Sequence, residues 1–267
     1  MHVSNQILLN NISGSIGTLT INRPEKRNSL STELLVSIHQ VLSEWSANES
    51  VKVVVIRGSG EKMFSAGFDI SEIPTNPSRE VEALLREHNP MYLALKAVKE
   101  FPYPTIAMLN GHCIGLALNL AMCCDYRIAA DDIKASMPPA KLGAVYPAEG
   151  IRQFVEVLGV PRAKEMFFTG ATYEANELAE LGAINRLTSR ANLENATYEL
   201  ASAIASNAPL SLKGMKSIFS MLSEKSALNG EYAEIAESLV NEAYKSKDLS
   251  EAQLAFAQKR RPVFVGA

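Results

Sequence analysis

Val51 to Ile56 and Pro104 to Leu109 are short, nearly unbroken apolar runs. Runs of this length and composition mark strands buried on both faces, which is the habit of parallel sheets covered by helices. Asp125 to Ala130 reads as a third strand, and helical patterns alternate with all three. Ser31 starts a helix with Leu34, Leu35, Ile38, Val41, Leu42 and Trp45 on one stripe. Residues 80–100 and Leu116 to Cys124 give two more helices, the latter apolar all round. This alternation predicts an α/β core. Residues 6–22 add a hairpin, with Ile7-Leu8-Leu9 and Ile16 to Ile21 flanking Ser13-Gly14-Ser15. From Pro161 onward the pattern is mostly helical. Leu193 to Ala208, Leu210 to Leu222, Glu231 to Tyr244 and Ser250 to Lys259 are amphipathic. The 267 residues thus divide into a core over 1–200 and a helical portion over 201–267. A chain this long buries roughly 75% of its unfolded surface and needs no disulfide or metal to build a core.

Charge excludes some functions. Lys plus Arg total 26 and Asp plus Glu total 29, a net charge of −3. No strong field draws in nucleic acid or an acidic membrane. Cys113, Cys123 and Cys124 are an odd set with two adjacent, which fits a reducing, cytoplasmic setting rather than a disulfide framework. Met1 to Asn5 lacks the basic and apolar regions of a signal peptide. The most apolar stretch, Thr105 to Ala130, is interrupted by Asn110, His112, Asn119, Asp125 and Arg127, too often to span a bilayer. Gly58-Ser59-Gly60 follows a strand, but the third glycine and the helix of a dinucleotide site are missing. His2, His39, His88 and His112 lie far apart, and no metal-ligand spacing is present.

Two glycine-containing turns carry the chemical information. Phe64-Ser65-Ala66-Gly67-Phe68-Asp69-Ile70 follows the strand ending near Gly58. Asn110-Gly111-His112-Cys113-Ile114-Gly115-Leu116-Ala117 opens a helix, whose free N–H groups suit a developing negative charge. Asp69 is placed to cap a helix, and His112 to bond backbone beside the second turn. Together with Ile21-Asn22-Arg23-Pro24, Asn28-Ser29-Leu30, Leu120-Ala121-Met122, Asp125 to Ala129, Lys141-Leu142-Gly143 and Lys259 to Phe264, these turns resemble the crotonase (enoyl-CoA hydratase/isomerase) family. The resemblance covers essentially the whole chain.

It implies a crotonase-like spiral of ββα units with a helical C-terminal region that assembles trimers or dimers of trimers. It implies an acyl-CoA substrate, with coenzyme A carried on the substrate and no separate cofactor. The N–H groups of Phe68 and Leu116 match the pair that grips the thioester oxygen. A thioester enolate holds its charge there, and preorganised donors in a dry site stabilise it. Family members carry glycine where Leu116 stands, so the larger side chain is expected to narrow the acyl pocket. Contacts to coenzyme A map to Arg23, Lys26, Arg27, Ala66, Asp69, Ile70, Lys259 and Arg261. The cations among them suit phosphate oxygens.

The chain departs from the family where hydratases place two glutamates. Asn119 holds the first position and Pro139 the second. Asn cannot trade protons at neutral pH and Pro has no polar side chain, so hydration by paired carboxylates is not expected. Tyr146, in Leu142-Gly143-Ala144-Val145-Tyr146-Pro147, matches a tyrosine of the methylmalonyl-CoA decarboxylase branch, although that branch carries other residues at Phe68 and Asn119. Decarboxylation needs no base, and Tyr146 is a candidate donor to the departing carboxylate or guide for water. Glu149, near a helix start, is the other candidate acid/base and keeps an isomerase or hydratase open. A non-catalytic acyl-CoA binder is the third possibility.

Overall fold

The computed structural model describes residues 6–69, 72, 89–142, 144–224, 235, 238, 246–260 and 262–267. A six-stranded sheet runs in the order β1 (Leu8–Ser13), β2 (Ile16–Ile21), β3 (Val53–Gly58), β5 (Thr105–Leu109), β7 (Tyr126–Ala130) and β10 (Arg186–Thr188). Only the β1–β2 hairpin is antiparallel; every other pair in this sheet is parallel. A second sheet runs β4 (Met63–Ser65), β6 (His112–Ile114), β8 (Lys134–Ser136) and β9 (Thr172–Glu174). There β4, β6 and β8 are parallel and β9 returns antiparallel. The chain repeatedly steps from a long strand of the first sheet into a short strand of the second: β3 to β4, β5 to β6, β7 to β8. This is the spiral of ββα units that the family resemblance implies.

The elements form for local reasons. The β3 valines and Ile56 are wholly buried, as an unbroken apolar strand requires. Helix α1 (Thr32–Asn48) starts where Ser31 Oγ accepts the Leu34 N–H at 3.3 Å, satisfying one of the free donors of the first turn. Its buried stripe of Leu34, Leu35, Ile38, Leu42 and Trp45 packs into the core, each aliphatic member contributing about 1.5–3 kcal/mol. Val41 is only partly covered. Helix α2 (Pro90–Lys99) is capped by Asn89, whose side chain accepts from Met91 N–H; residues 80–88 of the expected longer helix lie outside the described residues. Helix α3 (Leu116–Cys123) is buried on all sides. Its C-terminal carbonyls are met by Arg127, a buried cation whose Nη1 donates to Cys124 O at 2.6 Å and whose Nε donates to Ala183 O at 2.9 Å. Those bonds offset the cost of removing a guanidinium from water.

Gly111 to Gly115, expected as a turn, contains the short strand β6. The alternation signal needs more than three residues to register. Helix α4 (Ala148–Thr169) is broken at Gly159, which has φ +74° and ψ +163°. Pro161, two residues on, enters the second half. Beyond α5 (Ala175–Glu180) and α6 (Leu193–Ala205), helix α7 (Pro209–Glu224) is tied to the core. Lys216 Nζ donates to Asp125 Oδ2 at 2.6 Å and to Tyr103 O at 3.0 Å. Helix α8 (Lys247–Ala257) covers the start of the last expected helix. Most of Glu231 to Tyr244 lies outside the described residues. No described helix is long and apolar enough to cross a membrane.

Candidate active site

Strands β4, β6 and β8 lie side by side and parallel, with Ser65 opposite Cys113 and Ile114 opposite Ser136. The segments leaving their C-terminal ends therefore share one edge of the second sheet, the place where open α/β sheets bind ligands. From β4 comes Ala66-Gly67-Phe68-Asp69. From β6 come Gly115 and helix α3. From β8 comes the segment through Pro139 and Tyr146 to α4.

The first two segments touch. Gly67 has φ +89°, a region that disfavours side chains. A Cβ there would stand 2.6 Å from Ile114 O and 3.4 Å from Leu116 N. Only glycine lets the turns approach this closely. Gly67 N–H donates to Ser65 Oγ at 3.1 Å, closing the first turn on itself. Leu30 N–H donates to Gly67 O and Leu30 O accepts from Asp69 N–H. In that bridge the Phe68 N–H points to the side away from Leu30. In the second turn, Gly115 N–H is taken by Ser136 O at 2.8 Å, and Leu116 N–H is the first of α3. Neither Phe68 N–H nor Leu116 N–H has an acceptor among the described residues. The Leu116 side chain is buried with the core.

The loop before α1 braces the first turn. Asn28, wholly buried, accepts from Arg23 N–H and Ser59 Oγ and donates to Ser59 O and Met63 O. Ala66 N–H donates to Arg27 O. The Arg23 guanidinium turns inward. Its Nη1 donates to Ser29 O at 2.8 Å and both terminal nitrogens reach Asp69 Oδ2 at 3.3 Å. Ser29 Oγ donates to the same oxygen. Asp69 makes an ion pair across the loop; its O accepts from Glu72 N–H at 2.9 Å, and Ile70 and Ser71, where the cap expected of it would act, lie outside the described residues. Lys26, Arg27 and Lys259 are exposed. The neighbouring Arg260 pairs with Glu251. Ile70 and Arg261 lie outside the described residues.

Behind the second turn runs a chain of hydrogen bonds. Asn119, one helical turn past Leu116, is wholly buried. Tyr146 Oη donates to Asn119 Oδ1 at 2.9 Å, and Asn119 Nδ2 donates to Gln153 Oε1 at 2.5 Å. The Cys123 thiol donates to that Gln153 oxygen at 3.1 Å. Gln153 Nε2 donates to Glu149 Oε1 at 3.4 Å. Arg152 holds Glu149 with bonds of 2.6 and 3.0 Å and also pairs with Glu156, which Lys99 reaches at 2.8 Å. Gly150 makes the assembly possible: a Cβ there would stand 2.8 Å from Asn119 Oδ1 and from Tyr146 Cδ1. The Tyr146 ring leans on Phe167, which meets Phe154 edge-on.

The electrostatics follow from these contacts. The Arg152 bonds hold the Glu149 carboxyl below its ordinary range, so it is a poor proton donor at neutral pH. Burial pushes the Tyr146 phenol well above its ordinary range. Pro139 is buried and presents no polar side chain. His112 Nδ1 accepts from Lys134 N–H at 3.0 Å, the backbone bond expected of it. Burial raises all three thiols, Cys124 to about 12. Among the described residues no group of three or more His, Cys, Asp or Glu stands together as a metal site. Gln153 and Arg152 escape a reading of the sequence. The available signal was Gln153 four residues after Glu149, a buried polar residue on the face of α4 that turns to Tyr146.

The family model described as enoyl-CoA hydratase/isomerase matches residues 11–267. Over 248 residues the chain is 30% identical to the putative enoyl-CoA hydratase/isomerase YngF of Bacillus subtilis, covering 93% of this chain and 94% of that protein. It is 31% identical over 252 residues to methylmalonyl-CoA decarboxylase of Escherichia coli, covering 94% and 95%. The crystal structure of an enoyl-CoA hydratase/carnithine racemase from Magnetospirillum magneticum superposes with a TM-score of 0.91 at 31% identity, covering 99% of this chain and 97% of that one.

Proposed function

The chain belongs to the enoyl-CoA hydratase/isomerase family, and from that premise we propose that it decarboxylates a malonyl-type acyl-CoA thioester. One feature supports the reaction: by the family resemblance, Asn119 and Pro139 fall where hydratases place their two carboxylates. Asn119 is locked among neutral groups, Tyr146, Gln153 and Cys123. A base is needed to activate water or to remove an α-proton. Loss of CO₂ makes the enolate without one.

Phe68 N–H and Leu116 N–H receive the thioester oxygen in this scheme. The bond to the carboxylate breaks, CO₂ leaves, and its electron pair becomes the enolate held by the two donors. Each such donor is worth about 3–4 kcal/mol of barrier. A proton then adds to carbon. The polyanionic end of coenzyme A meets Lys26 and Arg27 from the first loop and Lys259 and Arg261 from the last. Arg23 is left to hold the first turn through Asp69. A trimer, or a dimer of trimers, brings the terminal cations to a neighbouring site. Among the described residues, the carboxylates beside these turns, Asp69 and Glu149, are each paired with an arginine, which limits their repulsion of an anionic acyl group.

A panel of thioesters followed by mass spectrometry tests this. Methylmalonyl-CoA or ethylmalonyl-CoA should lose CO₂, with the rate reduced by Tyr146→Phe. Silence with every malonyl-type thioester rejects the reaction. Turnover of crotonyl-CoA or a 3-enoyl-CoA that depends on Glu149 selects an isomerase or hydratase instead. Tight binding without turnover selects a non-catalytic binder.

A further inference from the structure

The hydrogen bonds behind Tyr146 have a direction, and the end of the chain sets it. An amide oxygen and nitrogen occupy nearly the same shape, so geometry at Asn119 or Gln153 alone leaves either orientation open. The Glu149 carboxylate removes the ambiguity, because Arg152 keeps it ionised and an ionised carboxylate only accepts. Gln153 must therefore turn its NH₂ toward Glu149, which lies 3.4 Å away. Its oxygen is left facing α3, where it takes both the Asn119 NH₂ at 2.5 Å and the Cys123 thiol at 3.1 Å. Asn119 has then used its donor side. It shows Oδ1 to Tyr146 at 2.9 Å, and the phenol has to donate.

We propose that Gln153 is a positioning residue that commits the one proton of Tyr146 to Asn119, so that the phenolic oxygen presents lone pairs to the acyl pocket and selects an occupant that donates a hydrogen bond. This rests on the acyl-CoA reading above and deepens it. An oxygen with only lone pairs to offer holds a water or a hydroxyl. Tyr146 is then the acceptor that orients a water, not the acid that protonates the enolate. The enolate carbon takes a proton from that water. The hydroxide formed combines with the released CO₂ as hydrogen carbonate, and the phenol is unchanged. One malonyl-type thioester anion and one water give one acyl-CoA and one hydrogen carbonate, so atoms and charge balance.

Neutron diffraction on the deuterated full-length protein reads the direction without a ligand. A deuteron on Tyr146 Oη aligned with Asn119 Oδ1, with the Gln153 amide deuterons toward Glu149, is expected. A phenol deuteron aimed elsewhere, or a reversed Gln153 amide, overturns the proposal. The consequence is read by calorimetric Kd values for butyryl-CoA, 3-hydroxybutyryl-CoA and 3-fluorobutyryl-CoA, fluorine being similar in size to hydroxyl but unable to donate. The hydroxyl compound should bind roughly tenfold tighter than the fluoro compound, the effect of one hydrogen bond. Gln153→Leu should bring that ratio to one while butyryl-CoA binds as before. A merely structural Gln153 would weaken all three alike and leave the ratio. Glu149→Gln, at a half-exposed site, removes the same constraint should Gln153→Leu fail to fold. Butyryl-CoA binding with a ratio of one in the wild type overturns this proposal alone. Failure of all three to bind overturns the acyl-CoA reading and the donor preference with it, while the neutron map still decides the direction.

Discussion

Gly150→Ala sets two effects of opposite sign against each other. Gly150 sits in the first turn of α4, where alanine is intrinsically the better helix former by up to about 1 kcal/mol. On helix propensity alone the variant should be more stable. Packing says otherwise. The added methyl would stand 2.8 Å from Asn119 Oδ1 and from Tyr146 Cδ1, well inside van der Waals contact. The tyrosine ring cannot swing aside freely, because its centroid is 5.6 Å from that of Phe167 and Phe167 is backed by the buried Phe154 at 5.0 Å. Overpacking of this kind costs about 1–3 kcal/mol. Pushing Tyr146 off Asn119 costs about 1 kcal/mol more for the lost hydrogen bond. After the helix gain is subtracted, the variant should be less stable by about 1–3 kcal/mol, the sum of the cited terms. Urea unfolding of both proteins measures it, and kcat on the preferred thioester should fall with little change in KM. A variant as stable as the wild type, with unchanged kcat, would show that the ring has room and that Gly150 does not shape this site.

Three other outcomes follow from the same contacts. Asn119→Asp puts a carboxylate into a wholly buried position facing the Gln153 oxygen, which raises its folded pKa above the ordinary value near 3.9. The stability penalty is then absent below that value and grows as pH rises to the folded pKa, so unfolding at pH 8 should show a larger loss than at pH 5; equal losses refute it. Glu149 has its carboxyl lowered from 4.5 by Arg152, so its contribution is present above that value and lost as pH falls through the folded pKa. Glu149→Gln should flatten the acid limb of the stability profile below about pH 4.5. Arg23→Ala frees the first turn and should lower kcat on both a coenzyme A thioester and its N-acetylcysteamine counterpart. Lys26→Ala should raise KM only for the coenzyme A form, and an identical pattern for both variants would mean that Arg23 contacts phosphate.

The sequence carried the long elements because their signals are periodic and local. The β1–β2 hairpin, the Ser31 start of α1, and strands β3, β5 and β7 fall where burial and capping rules place them. The strands β6, β8, β9 and β10 span three residues each, too few for alternation to register; β10 forms against the longer β7, and β6, β8 and β9 form in a sheet whose strands are all this short. The break in α4 was hidden because Gly159 and Pro161 interrupt a pattern that resumes at once. At the site, the sequence offers Phe68, Leu116, Asn119 and Tyr146 only by their resemblance to family positions. What joins them was not. Arg23 and Asp69 are 46 residues apart in sequence, and Gln153 reaches Asn119 across 34. Pairings over such distances depend on how the sheets stack, which no local pattern encodes.

The parallel edge formed by β4, β6 and β8 has a consequence for how such enzymes diversify. Each strand delivers a separate cassette, and the backbone of the first two needs no particular side chain at Phe68 or Leu116 to offer its N–H. The backbone frame of these two turns can therefore be inherited intact while the segment after β8 is exchanged. In this chain that segment carries Pro139 and Tyr146. A lineage built this way can vary one loop while the frame that positions it stays fixed.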